Sequence, residues 1–502
     1  MHENRNVAGG VLEQACAHGT NGPQDSHTML PRHMDKVRYV TATCLFKRTD
    51  RPHGWMAATA IVFLCAVCFA SLIPVTPAKA QGGEWWEQIF AGPQPYRQKE
   101  RRSSKGGRNA EQPDDYSDLK QNSTPWLSDV TVTAIDQAIE RYQRIAQRGW
   151  QPIPNGRTIR PGDDDDRIPA VKARLRATGD MRRSSSYFES LSLDGEVQSA
   201  LIRYQKRNGL RPTGRVDRAT RAAMNVSASE RLDQLRLNRR RIVDLMQPRV
   251  EDRYVFVNVP AFQLEAIEQW ETKLRSRVIV GRQGRDTPVL RSEIKALNFF
   301  PYWRVPTSVA TLDLIPRLQR EPGYLNEEGI RVYDGSFNGP EIPQETIDWN
   351  NVDKNRIRFK QDPGERNALG LVRLDMSNEH GVYMHDTPMK NLFNQSSRAF
   401  SAGCVRVQGV FDLAEWIAQY EQGWEQPGRV REILSAGQAV DVKLSRPVPV
   451  VFGYITAWAE PDGTVQFRND IYNRDGSAAV AARDMSERDP DEPPPPAGGI
   501  TP

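Results

Sequence analysis

Apolar positions recur along this chain with two different periods, and the change of period divides it. Between residues 126 and 250 they return every three or four residues, the spacing of helices packed on one side. Residues 169–178 turn Val171 and Leu175 inward and stop at Gly179. Residues 196–207 align Val197, Leu201 and Tyr204 and end at Asn208-Gly209. Asp217 reads as the cap of a helix over 218–224, and Ser227-x-x-Glu230 as a capping box opening a long helix that carries Leu232, Leu235, Ile242 and Leu245. From about residue 253 the pattern becomes strand-like. Runs at 254–259, 274–280 and 294–300 are broken by Pro260, Gly281 and Pro301. Residues 307–360, with a helical piece near 312–320, read as an insertion in a β domain. Strands resume over 371–407. A helix over 410–422 places Leu413, Trp416, Ile417 and Tyr420 on its apolar face. Pro461-Asp462-Gly463 joins runs at 448–458 and 464–471 in a hairpin.

The ends follow other rules. An apolar run, 55–73, is preceded by Lys47, Arg48 and Arg51 and followed by Ala78-Lys79-Ala80, the three parts of an export signal. Cleavage is expected after Ala80; the rival is an uncleaved anchor, since the run just spans a bilayer. The signal sits late, so Met34 is a candidate start. Residues 81–125 read as a mobile linker and 475–502, with DPDEPPPPAGG, as a disordered tail. The expected organisation is an extension and signal over 1–80, the linker, a helical scaffold over 126–250, a mostly-β domain over 251–445 and a hairpin over 446–474. The fold class is α+β. A net charge of +5 with 26% charged residues is too balanced to imply nucleic acid.

Cysteine usage sharpens the picture. The five cysteines are Cys16, Cys44, Cys65, Cys68 and Cys404, so the exported part keeps one thiol. It keeps two imidazoles, His380 and His385. No disulfide can form within it, and a Cys/His zinc site would need more ligands. No metal and no other cofactor is expected. The acidic run in PGDDDD (161–166) reads as a loop before a helix rather than a cation site. A lone exported cysteine is either a small buried hydrophobe or kept for its chemistry. In VYMHDT (382–387), Tyr383 and His385 share one strand face, with Val382 and Met384 on the other. In SAGCVRV (401–407), Cys404 and Arg406 share a face opposite Val405 and Val407. If the strands adjoin, His385 can deprotonate the thiol and reprotonate a leaving amine. Gly403 lets the amides of 403 and 404 turn toward an oxyanion, Arg406 suits a carboxylate, and Tyr383 suits substrate positioning. The plainer alternatives are a strand histidine, a surface ion pair for Arg406 and rim packing for Tyr383. His380 reads as a turn residue.

His385, Asp386 and Thr387, then Ser401, Gly403, Cys404 and Arg406, with the histidine 19 residues before the cysteine, resemble the active-site signature of the L,D-transpeptidase catalytic domain. Residues 193–226, with Tyr204-Gln205, Gly209-Leu210, Gly214-Arg215-Val216 and Thr220, resemble the three-helix peptidoglycan-binding domain, placed at about 165–227. The resemblance implies a periplasmic enzyme acting on peptidoglycan stem tetrapeptides as donor and acceptor. Cys404 would form a thioester, His385 and Gly403 would assist, and Arg406, Tyr383, Ser401 and Trp303 would meet substrate. The product would be a 3→3 cross-link. The same acyl group could pass instead to water or to an outer-membrane protein amine, and a scaffold with a dead site is the reading outside enzymes. A cysteine endopeptidase would place its cysteine first, with histidine far downstream. The resemblance also implies that the histidine's third partner is a backbone carbonyl rather than Asp386, and that the 307–360 insertion acts as a lid. Ala402 departs from the family's usual His or Lys.

Overall fold

The computed structural model describes residue 119 and residues 122–182, 190–248 and 251–476. The segments expected to be an export signal, most of the expected linker and nearly all of the expected tail lie outside the described residues. Among the described residues no helix is long and apolar enough to cross a membrane.

Five helices come first: α1 Asp129–Arg148, α2 Ile168–Thr178, α3 Gly195–Arg207, α4 Arg218–Asn225 and α5 Ala228–Leu245. Their starts follow local chemistry. Ser128, Asp194 and Asp217 each accept from a first-turn amide, and Ser227 with Glu230 forms the full capping box. α2–α4 enclose a small core of Val171, Leu175, Val197, Leu201, Tyr204 and Met224. Gln205 fastens it: its amide donates to Thr213, the Arg215 carbonyl and Thr220, while its Oε1 accepts from Gly214 N. α1 and α5 instead pack Ile135, Tyr142, Leu235 and Ile242 against the outer side of the sheet.

The sheet runs β1 Arg253–Asn258, β2 Gln263–Glu268, β3 Glu271–Gly281, β4 Leu290–Phe299, then β9 Val372–Met376, β10 Met384–His385, β11 Ala399–Ser401, β12 Val405–Val407 and β13 Val440–Gly453. Strand order is β11-β3-β12-β10-β9-β4-β13-β1-β2, and β3 also pairs with β2, so the sheet closes on itself. One continuous apolar core runs through Val255, Val280, Leu297, Leu374, Met384, Val405 and Val450. α6 Val410–Ala418 adds Val410, Leu413, Ala414 and Ile417 to it, followed by α7 Arg429–Ala436.

Three sequence expectations change. Tyr420 lies beyond the end of α6, is 66% exposed and donates its hydroxyl to Glu268, so it is no part of the apolar face. The C-terminal hairpin is confined to β14 Ala457–Ala459 and β15 Val465–Phe467. Residues 446–453 belong to β13, which pairs in parallel with β1 and antiparallel with β4, because Val448, Val450 and Phe452 alternate into the main core. The insertion is also wider than 307–360. It builds its own four-stranded sheet from β5 Trp303–Arg304, β6 Ile330–Asp334, β7 Glu341–Ile342 and β8 Ile357–Gln361, ordered β5-β8-β6-β7. With the helical turns of 307–318 this forms a cap around Trp303, Leu314, Leu318, Trp349 and Phe359.

Candidate active site

β9, β10 and β12 are neighbours, and their register decides what meets what. His385 pairs with Arg406 across a parallel ladder and with Arg373 across an antiparallel one. Met384 pairs with Val405 and Leu374, and all three enter the core. Directly paired residues share a face, and faces alternate along each strand. The ladder continues one step earlier, where Val405 N donates to the Tyr383 carbonyl at 3.0 Å. Tyr383, His385, Cys404 and Arg406 therefore lie on one face, joined by Arg373. The Tyr383 and His385 rings meet edge-on, centroids 5.7 Å apart.

The imidazole is fully buried. Its Nδ1 bonds the backbone carbonyl of Asp386, so the proton sits there and the Nε2 lone pair is free. Among the described residues Nε2 makes no hydrogen bond, to Cys404 or to any other group, although the Leu369 backbone also lies near the ring. Burial, followed by the nearby Arg406 charge, lowers the His385 pKa to about 3, so the ring is a neutral acceptor. Asp386 is held in turn: its carboxylate accepts from Leu371 N at 3.0 Å and pairs with Lys390. Gly370, at φ +62°, makes room for it, since a Cβ there would fall 2.3 Å from Asp386 Oδ2. The aspartate thus acts through its backbone carbonyl, while its side chain only anchors that carbonyl.

The Cys404 thiol is buried, and burial raises its pKa to about 11. The Tyr383 amide and hydroxyl beside it, with Arg406 and Arg373, act the other way. Thiol and imidazole are thus both neutral near pH 7. Gly403 has φ +124°, which a residue with a Cβ rarely adopts. Its N–H donates to Ser401 Oγ at 3.1 Å, and Ser401 Oγ donates to the Cys404 carbonyl at 2.6 Å. This changes two expectations. The Gly403 amide is engaged rather than free for an oxyanion, and Ser401, fully buried, ties the loop instead of meeting substrate.

Arg406 is the odd group. It is 1% exposed, with contacts to Thr387 at 3.4 Å and Met389 sulfur at 3.6 Å through Nη1 alone. Among the described residues its Nε and Nη2 have no partner. Burial lowers its pKa to about 10, which still leaves it charged at neutral pH. Trp303 lies in the cap core, against which Tyr383 and Ala402 pack. Its indole N–H is beside the Tyr383 hydroxyl but outside hydrogen-bond geometry. The cap thus covers the face that carries the thiol.

Arg373 was not among the expected residues. It stacks over Tyr383 at 5.5 Å and pairs with Asp375 and Asn298. Its strand position opposite His385 is the only signal, and that needs the register. His380 sits in the turn expected for it, its amide on Asn378 Oδ1.

Residues 252–450 match the model of the L,D-transpeptidase catalytic domain, and residues 165–224 that of a putative peptidoglycan binding domain. A putative L,D-transpeptidase of Haemophilus influenzae is 34% identical over 228 residues. That stretch covers 45% of this chain and 45% of the relative, so the match spans under half the length of each. Among solved structures, the L,D-transpeptidase of Mycobacterium smegmatis aligns at 12% identity over 40% of this chain and 58% of its own, TM-score 0.20. That of Stackebrandtia nassauensis aligns at 14% over 60% and 97%, TM-score 0.23. Residues 252–450 of this chain are thus similar to L,D-transpeptidase catalytic domains, and residues 165–224, ahead of them, to a peptidoglycan-binding domain.

Proposed function

We propose that this protein is a peptidoglycan L,D-transpeptidase that cross-links stem peptides through a thioester on Cys404. His385 Nε2 takes the thiol proton as sulfur attacks the carbonyl of the third residue of a donor tetrapeptide. The C–N bond to the terminal D-alanine breaks, and His385 returns the proton to the departing amine. A second stem's side-chain amine then attacks the thioester, His385 takes its proton, and the thiol is restored beside a 3→3 amide. Because thiol and imidazole both rest neutral, proton transfer accompanies attack rather than preceding it.

The observation that carries this reading is Arg406. A guanidinium so buried, with Nε and Nη2 unpaired on the thiol's face, is costly unless an anion completes it. A stem-peptide carboxylate supplies two acceptors in the fork geometry it presents. Tyr383 lines the thiol, and with the Gly403 amide engaged, oxyanion stabilisation falls to the Cys404 amide. Trp303 carries the cap over the site, and cap closure keeps water from the thioester until an amine arrives. The peptidoglycan-binding module holds the enzyme at its polymer. The apolar 55–73 segment supports export to the periplasm.

The test is product analysis after incubation with disaccharide tetrapeptides. Release of D-alanine with 3→3 dimers is expected. Tripeptide alone would mean that water is the acceptor, and transfer only to an added outer-membrane protein would mean that an amine of that class is. No D-alanine release from the folded enzyme would remove the acyl-transfer reading and leave a peptidoglycan-binding scaffold.

A further inference from the structure

The segment between β3 and β4 touches three parts of the molecule at once. Thr287, fully buried, accepts from Gly281 N at 2.8 Å and donates from the same oxygen to the Gly403 carbonyl at 2.8 Å. Its own amide donates to the Tyr472 hydroxyl at 3.2 Å, and that hydroxyl donates to the Gly281 carbonyl at 2.5 Å. On the cap side, Arg282 and Arg285 both reach Asp313, at 2.8 and 2.6 Å. Arg285, one of the two partners of Asp313, thus stands two positions before the residue that grips the loop ahead of Cys404.

We propose that Thr287 is a positioning residue for Cys404, and that the cap acts on it through the Asp313 pairs. The inference rests on Cys404 being the nucleophile. Gly403 occupies a conformation with few restraints of its own, and no Cβ fixes it. The peptide that joins it to Cys404 carries the carbonyl that Thr287 holds and the amide that Cys404 offers to the developing oxyanion. Fixing one end of that planar unit fixes the other. When the cap closes, Asp313 draws Arg282 and Arg285 toward it and holds the segment that carries Thr287. Open, the segment keeps β3, Tyr472, the Arg282 amide on the Ser401 carbonyl and the Asp286 pair with Arg474, but loses both of its bonds to Asp313. Closure thereby excludes water and aligns the thiol in one movement.

The test measures donor acylation of Cys404 by rapid-quench mass spectrometry, with iodoacetamide alkylation of the same thiol as a second readout. Thr287→Val is expected to lower the acylation rate constant about 10–100-fold while KM for the donor stays within about twofold. Thr287→Ser, which keeps the hydroxyl, is expected to recover most of the rate. A purely structural threonine would move Tm and leave the rate per folded molecule unchanged. Asp313→Asn, at a half-exposed position, is expected to raise the alkylation rate several-fold and lower acylation. Wild-type rates in Thr287→Val, or equal losses in Thr287→Ser and Thr287→Val, would overturn the positioning role. Unchanged rates in Asp313→Asn would overturn the coupling even if Thr287→Val fails to fold. Absence of acylation in the wild type, with alkylation intact, would instead remove the transpeptidase reading.

Discussion

Two buried arginines set the helical domain apart from the catalytic face. Arg207, at the end of α3, donates from Nε and Nη2 to the two oxygens of Asp180, at 2.6 and 2.5 Å. The carboxylate more than offsets burial, and the guanidinium's pKa rises. Arg406 is at least as buried, and no carboxylate meets it; its pKa falls to about 10. The same side chain is completed by the fold in one region and left incomplete in the other. Arg174, in the helical domain, is likewise buried with Nε and Nη1 unpaired, but it lies over the Trp150 ring at 3.9 Å and donates to the Gln151 carbonyl. Arg406 has only Thr387 and the Met389 sulfur, which makes it the place for a ligand's charge.

The sharpest break in that comparison is loss of the thiol. Cys404→Ala or His385→Ala is expected to reduce D-alanine release at least about 1,000-fold with the fold intact, as circular dichroism and product assay would report together. Next come the arginines, which should respond in opposite ways. Arg406→Met is expected to lower kcat/KM about 100-fold or more and to raise Tm, because it removes an unpaired buried charge. Asp180→Ala is expected to cost about 3–5 kcal/mol in denaturant unfolding, since it strands Arg207. A Tm loss in Arg406→Met would mean that a protein partner already completes that residue.

Acid and base sharpen the contrast further. The His385 pKa near 3 lies below its ordinary 6.5, so the unfolded chain takes that proton first. Its contribution is present above about pH 6.5 and lost as pH falls toward 3. The Cys404 pKa near 11 lies above its ordinary 9, so its contribution is present below about pH 9 and lost as pH rises toward 11. The alkaline loss is on the order of 3 kcal/mol. Stability measured against pH should therefore fall at both ends, with the acid limb flatter in His385→Gln and the alkaline limb flatter in Cys404→Ala. Iodoacetamide at pH 7–8 should label Cys404 more slowly than a free thiol. The smallest effect is at the scaffold: Ser227→Ala should cost about 1 kcal/mol of thermal stability, with no change in the rate per folded molecule.

What could be read from residue order was local. The alternation of Met384 with His385 and of Val405 with Arg406 put imidazole, thiol and guanidinium on one side before any register was known. Ser227 with Glu230 and Gly179 marked helix ends because caps act within a turn. The failures are non-local or lack a usual marker. β2 went unseen because the turn after it uses Gln269 and Trp270, both at positive φ, where Gly or Asn is the customary signal. The cap's sheet pairs Trp303 with Gln361 across 58 residues, and no short pattern announces such a pairing. Arg373 and Thr287 carry no motif; only the strand register and the closed sheet bring them to Cys404. The Gly403 amide was assigned to an oxyanion from its permissive backbone, without the Ser401 hydroxyl that occupies it.

Cys404, on the strand face that also carries neutral His385 and unpaired Arg406, is the group expected to accept the donor's acyl group. The most direct measurement is intact-protein mass after acid quench of the enzyme with a disaccharide tetrapeptide donor. An adduct equal to the donor less its terminal D-alanine is expected on Cys404, absent from Cys404→Ala and sharply reduced in Arg406→Met. A folded wild type that releases D-alanine without this adduct, or an adduct that survives in Cys404→Ala, would contradict it.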